Sequence, residues 1–307
     1  MTDLAVVIVS WNVRDLLAAC LRSLWADLER STLAAQVWVV DNGSADGTPE
    51  MVAREFPAVR LLVSDENVGF AAGNNRALRL LLADEGLRYV WLLNPDTQVR
   101  PGATAALVAA LEAQPGAAVA GAALFNADGS LQHGAFRFPG LTQLAFDLFP
   151  LPARLYESPL NGRYLVRRYT GSQPFWVDHP LGAAMMVRVE AVRQVGLLDE
   201  GYRMYCEEVD WCWRMRRAGW RALCVPAAEV VHYAGQSTGQ VRIPSFVNLW
   251  TSRARLYRRL CGPLRWGVAR AMVRAGMQRR MRGASPEMVV ACERVLRAWG
   301  GDGEPDG

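Results

Sequence analysis

Residues 89–99 constrain the fold more than any other segment. There the unbroken apolar run Tyr89-Val90-Trp91-Leu92-Leu93 gives way at once to Asn94-Pro95-Asp96-Thr97. A strand without polar alternation has both faces covered, which places it in the middle of a parallel sheet flanked by helices. Open sheets of that kind bind ligands just beyond the carboxyl ends of their strands. Asp96 stands at such an end and is the first candidate for chemistry.

The chain upstream repeats one pattern. An apolar run at 4–10 precedes a helical spacing over 14–28 (Leu16, Leu17, Cys20, Leu21, Leu24, Trp25, Leu28). A second strand at 37–40 runs into the turn-forming sequence Asp41-Asn42-Gly43-Ser44, with Pro49 suited to the first turn of the next helix. A third strand at 60–63 ends in Asn67-Val68-Gly69-Phe70, and a helix over 71–83 leads into the run at 89. Such alternation predicts an α/β domain with a mostly parallel central sheet, helices on both faces and right-handed crossovers. Asp41, Asn67 with Gly69, and Asp96 then converge on one edge.

A helix at 103–113 and a strand at 118–125 continue the alternation to the turn Asn126-Ala127-Asp128-Gly129. Residues 136–176, rich in aromatics and prolines and without periodicity, read as an excursion over the sheet edge, either a binding lid or an inserted loop. Strand character returns within 177–189, and a short helix is expected at 190–195. The second chemical stretch is Glu207-Glu208-Val209-Asp210, opening a helix that Gly219 closes. Acids in a first turn suit the helix dipole as well as they suit catalysis. Strands at 221–225 and 229–233 follow, the latter carrying His232.

Composition narrows the function. All 34 basic residues are Arg, which together with the abundance of Ala and Gly reads as compositional bias rather than a phosphate-binding adaptation. Residues 1–250 hold 22 Arg against 25 acids, whereas 251–297 hold 12 Arg against 2 acids. That asymmetry disfavours a nucleic-acid-binding surface and isolates a basic helical extension, 244–299, in which Arg alternates with Trp, Leu and Met. Such helices suit either an anionic bilayer or a solvated face on a packed core. The last residues, 300–307, read as a disordered tail. Six cysteines without Cys-x-x-Cys or zinc spacing read as reduced core residues, and no signal peptide or membrane-spanning run is expected, which points to the cytoplasm.

Taken together, Val6-Val7-Ile8-Val9-Ser10-Trp11-Asn12, Asp41-Asn42-Gly43-Ser44, the run from Asn67 to Asn75, Leu93-Asn94-Pro95-Asp96-Thr97, Glu207-Glu208-Val209-Asp210 and Val231-His232 resemble the family 2 glycosyltransferases of the GT-A fold, in particular their bacterial rhamnosyltransferase-like branch. The resemblance spans most of 4–260. It implies a GT-A domain over 1–243, with a nucleotide-sugar half (1–128) and an acceptor and catalytic half (129–243). Ser10, Asp41, Asn67, Gly69, Asn94 and Asp96 would contact the sugar nucleotide. Asn74 and Asn75 would lie at a helix start near its diphosphate. The family's Asp-x-Asp metal motif is reduced here to Asn94-Pro95-Asp96, leaving Asp96, with His232, to hold Mg2+ or Mn2+. Glu208 matches the family's general base, with Glu207 and Asp210 as alternatives.

These implications fit the reaction's needs. Loss of a nucleoside diphosphate calls for a hard dication with few protein ligands, and an attacking hydroxyl calls for a nearby carboxylate. The expected activity is inverting, metal-dependent transfer of a sugar, rhamnose from a dTDP donor, to a lipid-linked or cell-surface glycan, at the inner face of the membrane. Two rivals stand beside it. A nucleotidyltransferase is disfavoured by the absence of a Gly-rich loop with Lys. A non-catalytic nucleotide-sugar-binding or membrane scaffold module is motivated by the incomplete metal motif.

Overall fold

The computed structural model describes residues 2–235 and 238–300. The chain begins with β1 (Leu4–Ser10), α1 (Arg14–Leu28), β2 (Ala35–Asp41), α2 (Thr48–Glu55), β3 (Arg60–Val63), α3 (Phe70–Leu81) and β4 (Tyr89–Leu93). Strands β3-β2-β1-β4 lie side by side and parallel, in register from Ser10 to Asp41 and from Asp41 to Val63. Their carboxyl ends therefore share one edge, as the alternation predicts. Because strand side chains alternate between faces, Leu4, Val6, Ile8 and Trp91 pack against α1 on one side while Ala5, Val7, Val90 and Leu92 pack against α3 on the other. Trp91 is fully buried, and burial of a side chain of that size contributes roughly 2–3 kcal/mol.

The second half adds β5 (Thr97–Val99), α4 (Ala103–Ala113), β6 (Ala117–Phe125), β7 (Leu131–Gln132), β8 (Ala135–Phe136), α5 (Leu141–Leu148), α6 (Ala153–Tyr156) and α7 (Val166–Tyr169). Then come β9 (Phe175–Val177), β10 (His179–Pro180), β11 (Ala184–Arg188), α8 (Val189–Val195), α9 (Glu207–Arg217) and β12 (Arg221–His232). The sheet continues β4-β11-β6-β12-β5, and here it is mixed, since β11 runs antiparallel to both β4 and β6. The two strands expected at 221–225 and 229–233 are one, interrupted by a register shift between Val225 and Glu229. Pro226, which has no N–H to give to the ladder, lies within that shift.

The excursion at 136–176 is more ordered than its sequence suggests. Its helix α5 buries Leu144 and Leu148 against α10 (Arg242–Leu260), α11 (Pro263–Met281) and α12 (Pro286–Gly300), in a separate core built around Trp250, Tyr257 and Trp299. The basic helical extension expected over 244–299 is divided at Cys261-Gly262, where α10 ends and Pro263 starts α11. Of the tail expected to be disordered, Gly300 ends α12, and 301–307 lie outside the described residues. All six cysteines are free thiols.

Helix α10 also grips the segment from Asp199 to Val209. Ser252, Arg255, Leu256 and Arg259, at helical spacing, form one stripe of α10. Ser252 Oγ donates to the Met204 carbonyl at 2.8 Å. Arg255 and Arg259 pair with Asp199, and Leu256 packs with Tyr202, Cys206 and Val209.

Candidate active site

A cavity of about 300 Å3 opens at the carboxyl ends of β1, β2 and β4. Of the sequence-derived site residues, Ser10, Asn67, Gly69, Asn94, Asp96, Glu207, Glu208 and His232 line it. Asp41, Asn74, Asn75 and Asp210 do not, each for a local reason. Asp41 is buried at the end of β2, with Oδ2 accepting from the Ser44 amide at 2.9 Å, and its neighbour Asn42 reaches the cavity instead. Helix α3 begins at Phe70, so Asn74 and Asn75 sit a turn beyond its exposed N–H groups. Asn74 donates to the Phe70 carbonyl, while Asn75 ties α3 to the Leu198 backbone and Glu200. Asp210 is held by Arg214 at 2.9 Å and Arg259 at 2.6 Å, with no exposed surface.

Strand pairing brings the distant acid and imidazole together. β5 pairs antiparallel with β12 so that Thr97 faces His232, and the Tyr233 amide donates to the Asp96 carbonyl at 2.9 Å. His232 Nε2 then lies 3.4 Å from Asp96 Oδ1. His232 Nδ1 lies 2.7 Å from Gln132 Oε1. A dication between Asp96 Oδ1 and His232 Nε2 would suit this separation, with Gln132 supplying the hydrogen bond that usually orients a ligating imidazole. No group of three or more His, Cys, Asp or Glu side chains suited to a metal exists among the described residues. Asp96 and His232 thus fit a hard dication that takes its remaining ligands from substrate phosphate and water, and do not fit a closed structural site.

The two glutamates enter by a different route. Tyr205 and Cys206 both adopt positive φ (69° and 70°) just before α9, turning the chain so that Glu207 and Glu208 open the helix at the cavity. The other non-glycine residues with positive φ, Asn12 and Ala234, adjoin the cavity residues Trp11 and Gly235. Strain of this kind gathers where function demands it. Both glutamates are buried, and one oxygen of each has no hydrogen-bond partner among the described residues, as is also true of Ser10 Oγ and Asn42 Oδ1. Burial raises both carboxyls above the ordinary range, and the charge of Glu208 raises Glu207 further. Of the pair, Glu207 is the one whose carboxyl is raised further. Gly182 lies beside Glu208, a Cβ there falling 3.6 Å from the Glu208 Cβ, ordinary van der Waals contact.

The glycosyl transferase family 2 sequence profile matches residues 5–196. The chain is also 36% identical, over 252 residues, to the N-acetylglucosaminyl-diphospho-decaprenol L-rhamnosyltransferase of Mycobacterium tuberculosis, covering 78% of this chain and 79% of that one. The chain belongs to glycosyl transferase family 2. Its fold is GT-A, as in the mannosyltransferase PcManGT from Pyrobaculum calidifontis in complex with GDP-Man and Mn2+ (TM-score 0.55, 15% identity, covering 98% of this chain and 76% of that one). A similar likeness holds to GalNAc-T7 with UDP, GalNAc and Mn2+ (TM-score 0.58, 17% identity, 84% of this chain), of which this chain spans 48%.

This glycosyltransferase builds its cavity partly from residues that the sequence did not mark individually. Trp11 and Asn42 follow strands β1 and β2 inside recognisable motifs and could have been chosen by position. Gly182 lines the cavity from inside an otherwise apolar run, between Leu181 and Ala183, which line it too. Met204 and Tyr205 carry no signal, because their placement depends on the positive-φ turn and on α10 behind it.

Proposed function

We propose that this glycosyltransferase moves rhamnose from dTDP-rhamnose, with inversion, to a hydroxyl of a lipid-linked N-acetylglucosaminyl diphosphate. The single observation that carries this reading is the meeting of Asp96, His232 and Glu208 on one cavity. The rhamnosyltransferase relative, whose name specifies a diphospho-decaprenol acceptor, supports the choice of sugar and lipid.

In the proposed reaction the acceptor oxygen attacks the anomeric carbon from the face opposite the diphosphate while Glu208 takes its proton. The new C–O bond forms as the bond to the phosphate oxygen breaks, and dTDP leaves with the electron pair. Ser10, Asn42 and Asn67 orient the donor. Asp96 and His232 would hold Mg2+ or Mn2+, which when bound neutralises charge on the diphosphate. The raised pKa of Glu208 makes it a stronger base than an ordinary carboxylate.

The test is transfer from a panel of sugar nucleotides to N-acetylglucosaminyl-diphospho-prenol with Mg2+ or Mn2+. Rhamnosylated lipid formed only from dTDP-rhamnose supports the reading, whereas transfer of another sugar, or from no donor in the panel, overturns it.

We further propose that the protein rests on an anionic bilayer through α11. Leu264 is 83% exposed and Val268 43% exposed on one face, beside the exposed Arg265 and Arg274. No described helix is long and apolar enough to cross a membrane.

A further inference from the structure

A second cavity of about 620 Å3 adjoins the first and shares Trp11, Asn67, Gly69 and Met204 with it. Its far wall comes from the C-terminal helices. α10 and the residue before it contribute Val241, Ile243, Pro244 and Val247, and α12 contributes Val290 and Arg294. The helical side is mostly apolar but includes Ser245 and Asn248, and the lining carries two cations, Arg203 near the shared wall and Arg294 on α12, against one acid, Glu287. Arg203 Nη2 donates to the Asn67 carbonyl at 3.3 Å. Arg294 is exposed, with no ion pair or hydrogen bond among the described residues. Val290 is 48% exposed although it lines the cavity. An exposed cation beside an exposed valine on a helix otherwise packed into a core suits a ligand that is itself both anionic and apolar.

We infer that this cavity is the acceptor subsite, that Arg203 and Arg294 receive the acceptor's diphosphate, and that the apolar wall of α10 and α12 receives the first isoprene units of its lipid. The assignment rests on the transferase reading above. It locates the acceptor between the donor cavity and the C-terminal helices, so that a sugar attached to the diphosphate would extend past Trp11 and Met204 toward Glu208. Association requires both chemistries: the guanidinium groups match a diphosphate, and the valine and isoleucine surfaces are desolvated only by an apolar chain.

The experiment uses the full chain and two independent readouts. The first is calorimetric binding of a fifteen-carbon isoprenoid diphosphate in the absence of any sugar nucleotide. The second is the acceptor KM in the transfer assay, with donor affinity measured in parallel. Arg294→Glu is expected to weaken binding of the isoprenoid diphosphate and to raise acceptor KM by about tenfold or more, the equivalent of one charge-assisted contact, with donor affinity unchanged. Val290→Asn, polar but uncharged, is expected to weaken binding of the isoprenoid diphosphate and to raise acceptor KM as well, and circular dichroism reports whether each variant keeps its fold. Repeating the binding with inorganic diphosphate separates the anion from the lipid, and the Val290→Asn effect should vanish there. Failure of the wild-type chain to bind the isoprenoid diphosphate, or unchanged binding and KM in both folded variants, overturns the subsite. A chain that binds the isoprenoid diphosphate through Arg294 but transfers no sugar instead overturns the transferase reading and leaves the subsite standing.

Discussion

Arg259 Nη1 donates to Asp210 Oδ1 at 2.6 Å, joining helix α10 to the first turn of the helix that carries Glu207 and Glu208. Asp210 has no exposed surface, and Arg214 holds its other oxygen at 2.9 Å. A buried carboxylate shared by two guanidiniums is a fixed point, so the orientation of Glu208 depends on a residue outside the αβ sheet. Arg259→Ala is expected to cost about 1–2 kcal/mol, between surface and buried ion-pair values because Arg259 itself is partly exposed. Urea denaturation measures that cost, and turnover should fall while donor affinity is kept.

Glu208→Gln should lower turnover roughly a hundredfold or more, the usual weight of a general base, with donor binding intact in calorimetry. If Glu207→Gln gives the larger loss, the roles of the pair are reversed.

The same pair dictates a pH response. Because burial raises both carboxyls, the folded chain holds more protons than the unfolded chain between the ordinary glutamate value and the raised ones. Stability is therefore lost as pH rises through that window, and it is recovered at lower pH, where both states are protonated. Glu207→Gln should raise the thermal midpoint relative to wild type at pH 7 and leave it little changed near pH 4. Turnover should move oppositely to stability, falling as acid protonates Glu208 at a pH above the ordinary glutamate range. An acid limb at the ordinary value would contradict the assignment.

Asp96→Ala and His232→Gln should each abolish the Mn2+-dependent part of donor binding, because each removes one of the two side chains proposed to hold the ion. Titration of dTDP with and without Mn2+ checks this, and an undiminished metal effect in both variants would rule out the pair as the metal site.

Gly69→Ala should destabilise the fold by more than 1 kcal/mol, since Gly69 has φ +88° and a Cβ there would lie 2.2 Å from the Arg203 carbonyl oxygen. Thermal denaturation reads the loss. A midpoint equal to wild type would mean that the loop yields.

Leu264→Asp together with Val268→Asp is expected to release the protein from anionic vesicles in flotation without lowering its thermal midpoint, because both side chains are exposed. Deleting the C-terminal helices would be a poorer test, since α10 and α12 complete a core with α5.

The sequence alone determined the first four strands and the edge they share. A buried parallel strand must be apolar throughout, and the chain must turn with Gly, Asn and Asp where it leaves the sheet, so Asp41, Asn67 and Asp96 were legible at their strand ends, and Ser10 only through the family resemblance. The acids of α9 were legible as a cluster, although a first helical turn suits them as well as catalysis does, and the reduced metal motif was legible only through the family resemblance. Tertiary structure decided what depends on long-range pairing. The β5–β12 register brings His232 to Asp96, and no local preference encodes that register. The ion pairs of α10 separate Asp210 from Glu207 and Glu208, which share one helical turn and look equivalent in sequence. Burial, which sets the protonation of the glutamate pair, is a property of everything packed around them, including the positive-φ turn at Tyr205 and Cys206 that no residue type announces.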